Sequence, residues 1–109
     1  MSRDYDFPIK RYEYAMTVTT TKQTLSPTQF SITAAMTDKW MLVIAPATGD
    51  FLVSSLASPT VGEKHYSALG TEWSTEVFLT LGTSFKIWRD SGGDFDILAV
   101  AYAPTRRAL

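Results

Sequence analysis

The sequence predicts an all-β fold: one antiparallel sandwich, jelly-roll-like, of about seven to eight short strands. Three observations predict it. Apolar and polar residues alternate in several separate runs of the 109-residue chain, and no long segment carries a helical period. Turn-forming residues punctuate those runs at Pro46-Ala47-Thr48-Gly49-Asp50, Gly82-Thr83 and Gly92-Gly93. Two alternating runs, 84–91 and 94–102, meet at Gly92-Gly93 and have the form of a β-hairpin.

The elements follow in chain order. Residues 12–20 alternate with Tyr12, Tyr14, Met16 and Val18 on one side and Glu13, Ala15, Thr17 and Thr19 on the other, the pattern of a half-buried strand. Residues 29–34 also alternate. Ser26-Pro27-Thr28-Gln29 fits a helix start equally well, with Ser26 as cap, Pro27 at the first position and Gln29 closing a capping box. Residues 40–45 are continuously apolar, as expected of a central strand buried on both faces, and pair through the turn at 46–50 with a strand at 51–55. Residues 56–70 read as an irregular connection with a short strand at His65-Tyr66. Alternation returns over 72–81, placing Trp73, Val77, Leu79 and Leu81 on one face, and Gly82-Thr83 turns the chain into the last hairpin.

A two-residue turn at Gly92-Gly93 would oppose Ser91 to Asp94, Arg89 to Asp96, Ile87 to Leu98 and Phe85 to Val100. Opposed residues share a face, so Phe85, Ile87, Leu98, Val100 and Tyr102 form the expected core side, with Arg89 and Asp96 as an ion pair at its rim. The other side collects Trp88, Phe95 and Ile97, too apolar for plain exposure. A turn one residue longer would set Phe95 and Ile97 beside Phe85 and Ile87 instead; the shorter turn is preferred because it pairs opposite charges.

Length and composition bound the function. The chain suffices for one self-contained core. Cysteine is absent, which removes disulfides, thiolate metal ligands and a cysteine nucleophile. The net charge of −1 carries no electrostatic footprint for nucleic acid or an anionic membrane. The charged start Met1-Ser2-Arg3-Asp4 is not a signal peptide, and the apolar run at 40–45 is too short to span a bilayer, so synthesis in the cytoplasm is expected. His65 is the sole histidine and lies in the irregular segment without a nucleophile-elbow motif. Glu72 and Glu76, four apart on a strand, stand some 13 Å from each other, beyond the reach of a glycosidase pair. Asp90, Asp94 and Asp96 lack the spacing of a calcium loop and suit a turn. The expectation is a protein that is not an enzyme and uses no metal or cofactor.

Binding features remain. Residues 1–11 mix charges with Tyr5, Phe7 and Ile9, and Pro8 cannot donate to a ladder, which suggests an extended N-terminal arm ahead of a sandwich at 12–103 and a tail at 104–109. Trp40 and Trp73 belong to the core; Trp88 belongs to the second hairpin face. The expected partner contacts are therefore Tyr5, Phe7 and Ile9 in the arm and Trp88, Phe95 and Ile97 on the hairpin.

The segments Thr17-Val18-Thr19-Thr20-Thr21, Lys39-Trp40-Met41-Leu42-Val43-Ile44, Gly49-Asp50-Phe51-Leu52-Val53-Ser54 and Phe78-Leu79-Thr80-Leu81-Gly82-Thr83-Ser84-Phe85-Lys86-Ile87-Trp88 resemble the small β-sandwich virion proteins of tailed bacteriophages. In length and layout the chain is similar to the capsid decoration, or cement, proteins of short-tailed phages. The resemblance spans about residues 12–103 and rests on strand rhythm rather than a residue motif. It implies a jelly-roll domain on the capsid exterior, often dimeric, that bridges major capsid protein subunits and stabilises the shell. A glycan-binding, receptor-recognising module using exposed aromatics is the second expectation.

Overall fold

The computed structural model describes residues 8–44, 49–65, 72–75 and 77–105. Among the described residues nine strands run in the order β1 (Ile9–Val18), β2 (Gln23–Leu25), β3 (Lys39–Ile44), β4 (Phe51–Ser54), β5 (Glu63–His65), β6 (Trp73–Ser74), β7 (Leu79–Thr80), β8 (Phe85–Trp88) and β9 (Phe95–Pro104). They form two antiparallel sheets, one ordered β1-β9-β3-β6 with β7 also on β3, the other β2-β8-β4-β5. The pairs β4–β5, β3 with β6 and β7, β2–β8 and β1–β9 nest like the layers of one long hairpin rolled up on itself. That nesting is the jelly roll.

β6 and β7 both pair antiparallel with β3, their registers offset by two residues. Ile44 and Val43 face Trp73 and Ser74, while Trp40 and Lys39 face Leu79 and Thr80, so β3 is flanked along its length. Thr75 bridges the gap: its N–H donates to the Leu42 carbonyl at 3.0 Å, and its hydroxyl accepts from the Leu42 N–H at 3.3 Å. Val77 is exposed rather than aligned with Trp73, Leu79 and Leu81, which pack against the core.

The expected hairpins are not present. β8 pairs with β2 and β4, and β9 with β1 and β3, so the chain crosses between sheets at Gly92-Gly93. β3 and β4 likewise lie in opposite sheets. Gly92 adopts φ 97°, the left-handed conformation that glycine tolerates, within this crossing. Arg89 does not pair with Asp96. Its guanidinium lies 4.8 Å from the Phe95 ring centroid and donates to the Gly93 carbonyl, while Asp96 accepts a 2.6 Å hydrogen bond from Thr17 of β1.

Face assignments follow from the pairing. On β1, Met16 and Val18 are buried and Tyr12 and Tyr14 pack against the core, as the alternation predicts. On β9 the core side is Ile97, Ala99, Ala101 and Ala103, not Leu98, Val100 and Tyr102. Small residues suit the middle of this sheet because their neighbours are large. Tyr14 opposes Ala99, and both Tyr12 and Leu42 oppose Ala101, so the alanine row leaves room for flanking rings. β3 buries Trp40, Leu42 and Ile44 but leaves Met41 and Val43 half-buried on the outside, so it is covered on one face only.

Five rings cross the core in contact: Tyr14–Phe30 at 5.9 Å between centroids, Phe30–Trp40 at 6.0 Å, Trp40–Phe85 at 5.9 Å and Phe85–Trp73 at 5.6 Å. Edge-to-face and tilted geometries predominate, in keeping with the ring quadrupole. The buried hydroxyl of Thr37 is satisfied locally, donating to the Lys39 carbonyl at 3.0 Å.

Of the two structures open to residues 26–30, the helical one forms, as a short 3-10 helix at Pro27–Phe30. Gln29 Oε1 accepts from the Ser26 N–H at 2.8 Å and the Ser26 hydroxyl at 2.6 Å. The helix ends in a Schellman arrangement, with the Ile32 N–H on the Pro27 carbonyl and the Ser31 N–H on that of Thr28, both at 3.0 Å. Ser31 thereby takes φ 61°, a left-handed conformation better suited to glycine. Ser31→Gly is expected to stabilise the protein by about 0.5–1 kcal/mol, read as a higher midpoint in urea unfolding.

The ends of the sandwich lie outside the predicted 12–103. β1 begins at Ile9, which pairs with Pro104, and the Thr105 N–H donates to the Pro8 carbonyl at 2.8 Å. Residues 9–11 therefore belong to the sheet rather than to an arm.

Candidate partner-binding surface

Both sheets mix polar and apolar residues on their outer faces. On the β2-β8-β4-β5 sheet the outward positions include Thr24, Lys86 and Ser54, which oppose one another across β2, β8 and β4, and Lys86 Nζ donates to Thr24 Oγ1 at 2.5 Å. On the β1-β9-β3 sheet the outward positions of β9 are Leu98 and Tyr102, half-buried, and Val100, buried between them, flanked by Ala15 on β1 and by Val43 and Met41 on β3. Arg11 and Glu13, paired with each other, stand on the β1 side of this strip, and Asp96 and Thr17 close one end. An apolar centre within a charged margin is the anatomy of a protein interface.

The residues singled out from the sequence are scattered by the fold. Tyr5 and Phe7 lie outside the described residues. Ile9 is exposed at the start of β1. Ile97 is in the core, and Phe95 is half-buried against it, beneath Arg89. Trp88 points outward from β8 but is only 6 % exposed. Lys22 Nζ lies 5.1 Å from its ring centroid on one side, and Gly62 packs against it on another. The expected exposed cluster of Trp88, Phe95 and Ile97 therefore does not form, because β8 and β9 are not neighbours in one sheet.

Gly62 is fixed by this packing. A β-carbon there would fall 2.8 Å from Trp88 Cη2 and 2.8 Å from the Val53 carbonyl oxygen, and the carbonyl belongs to the sheet and cannot move aside. Gly62→Ala is expected to cost about 1–3 kcal/mol through overpacking and to shift the tryptophan fluorescence, checked by urea unfolding.

The open side of the sandwich carries a shallow cleft of about 430 Å³ lined by Ser55, Trp73, Ser74, Thr75, Leu79, Thr83 and Phe85. Its wall combines two aromatic rings with several hydroxyls. Of the candidate catalytic groups, Glu76 lies outside the described residues. Among the described residues no three histidine, aspartate or glutamate side chains converge as a metal site.

No family model matches the chain, and no curated protein or solved structure matches it. The surface chemistry is thus the ground on which function is argued. The Leu98, Val100 and Tyr102 strip escapes sequence inspection because those residues are larger than the alternating alanines and look like the buried set. The signal that separates the two sets is the connection at Gly92-Gly93, which sends β8 and β9 to opposite sheets.

Proposed function

We propose that the protein is a structural virion component, a decoration or cement protein that binds the outside of a phage capsid and bridges major capsid protein subunits. The observation that carries this reading is the outward apolar strip at the centre of the β1-β9-β3 sheet, where Met41, Val43, Leu98 and Tyr102 stand half-buried around the buried Val100. A lattice of identical sites multiplies the effect of such a face, since each copy stabilises the state it binds and bridging adds avidity. The strand rhythm shared with decoration proteins supports the same reading.

The test is co-sedimentation of the purified chain with heads of the phage that carries this sequence, prepared without the protein. Saturable occupancy that raises the temperature of head disruption is expected. Absence of binding overturns the proposal. The cleft beside Trp73 and Phe85 favours one alternative, a glycan-binding module, since an aromatic wall with hydroxyls suits a sugar ring. A glycan array distinguishes the two: selective saccharide binding that Trp73→Ala abolishes, with no binding to heads, favours the module.

A further inference from the structure

The outer edge of β1 is the longest sheet edge among the described residues, and its charge order is self-complementary. β1 is the terminal strand of its sheet, ten residues without an internal proline. Two hydrogen bonds fix which of its backbone groups face outward. Thr105 donates to the Pro8 carbonyl, so position 8 bonds toward β9, and the alternation carries this to Lys10, Tyr12, Tyr14 and Met16. Gln23 Nε2 donates to the Thr17 carbonyl from beyond the edge at 2.8 Å, which places Thr17, and by alternation Ala15, Glu13, Arg11 and Ile9, with their N–H and C=O groups directed away from the sheet. Ile9, Arg11, Glu13 and Ala15 are all exposed.

From this geometry we infer that β1 pairs antiparallel with β1 of a second copy of the chain, about a two-fold axis through Tyr12. In that register Arg11 faces Glu13 of the second copy, Glu13 faces its Arg11, and Ile9 faces its Ala15, each a reciprocally hydrogen-bonded pair. Shifting the register by two residues either way puts Arg11 against Arg11 or Glu13 against Glu13 at the axis, which like-charge repulsion disfavours. Charges on an edge strand ordinarily block pairing. Here a cation and an anion two residues apart block every neighbouring register and favour one. Tyr12 meets its counterpart on the inner face, where Lys10 Nζ already lies 5.2 Å from the Tyr12 ring centroid. The two sheets become continuous, and both apolar strips lie on one side of the assembly. The inference does not depend on what those strips bind.

Sedimentation velocity on the full chain over a concentration series tests it. A concentration-dependent dimer is expected. Arg11→Glu and Glu13→Arg should each weaken it about tenfold by creating like-charge pairs twice over, and the double variant R11E/E13R should restore it to within about threefold. Ala15→Pro removes an outward N–H without touching the β9 ladder, so it should abolish the dimer while circular dichroism shows the fold retained. Because the chain has no cysteine, Tyr12→Cys should yield a disulfide-linked dimer on mild oxidation and Arg11→Cys should not, since only position 12 faces itself across a close non-hydrogen-bonded pair. A monomer at every concentration overturns the inference, including the case where the edge takes a strand of another protein. So does a dimer indifferent to the charge variants and to Ala15→Pro.

Discussion

Replacing Trp40 by alanine is expected to lower the unfolding free energy by about 3–5 kcal/mol, a large part of the stability of a domain this size. Trp40 is fully buried and sits in the middle of the ring series, in contact with Phe30 on one side and Phe85 on the other. Its β3 neighbours Leu42 and Ile44 are also fully buried and held in the sheet by β9, so the surroundings cannot collapse into the space left. The indole Nε1, however, is buried without a hydrogen-bond partner. That orphan donor costs about 1–3 kcal/mol. Trp40→Phe keeps a ring between Phe30 and Phe85 and removes the orphan N–H, so it should lose much less stability than Trp40→Ala. Urea unfolding followed by far-ultraviolet circular dichroism measures both. Equal losses would show that indole volume, rather than ring-to-ring continuity, holds the two sheets together.

The same core shows how far the sequence alone carries. β1 was legible because its large side chains, Tyr12, Tyr14, Met16 and Val18, occupy the buried parity and Glu13 and Thr17 the exposed one. The 3-10 helix was legible because Ser26, Pro27 and Gln29 act on their immediate neighbours. β9 was misjudged for a physical reason. Its core side carries Ala99, Ala101 and Ala103, and its outer side carries Leu98, Val100 and Tyr102, so side-chain size points the wrong way. Alanine suits these positions because Tyr12 and Tyr14 of β1 and Leu42 and Ile44 of β3 stand beside it, and that is a long-range fact. The pairing of β8 with β2 and β4 is equally non-local. Gly92-Gly93 reverses the chain in either case, and a turn between sheets has the same local chemistry as a turn within one. The apolar strip was hidden by the same error, since recognising it required knowing that Ile97 and Phe85 enter the core from opposite sheets.

That strip sets the second large effect. Leu98→Asp is expected to reduce binding to phage heads by about 30-fold or more, the loss associated with truncating or charging a residue at the centre of an interface. Leu98 is half-buried on the outer face, opposite the exposed Ala15, so a carboxylate there remains hydrated in the free protein and the fold should persist. Under the proposed function, a capsid subunit covering the strip would deprive the same carboxylate of its water beside Val100 and Val43. Binding is therefore penalised where folding is not. Thr28→Asp, on the exposed side of the 3-10 helix, is the matched control: it adds the same charge away from the strip and should leave occupancy unchanged. Removal of residues 1–7 separates the arm from the sheet, because a cut reaching residue 11 would also strip Ile9, Lys10 and Arg11 from their pairing with β9. Undiminished occupancy by Leu98→Asp, with its unfolding midpoint unchanged, would exclude the strip as the capsid contact; occupancy lost on removal of residues 1–7 alone would move that contact to Tyr5 and Phe7.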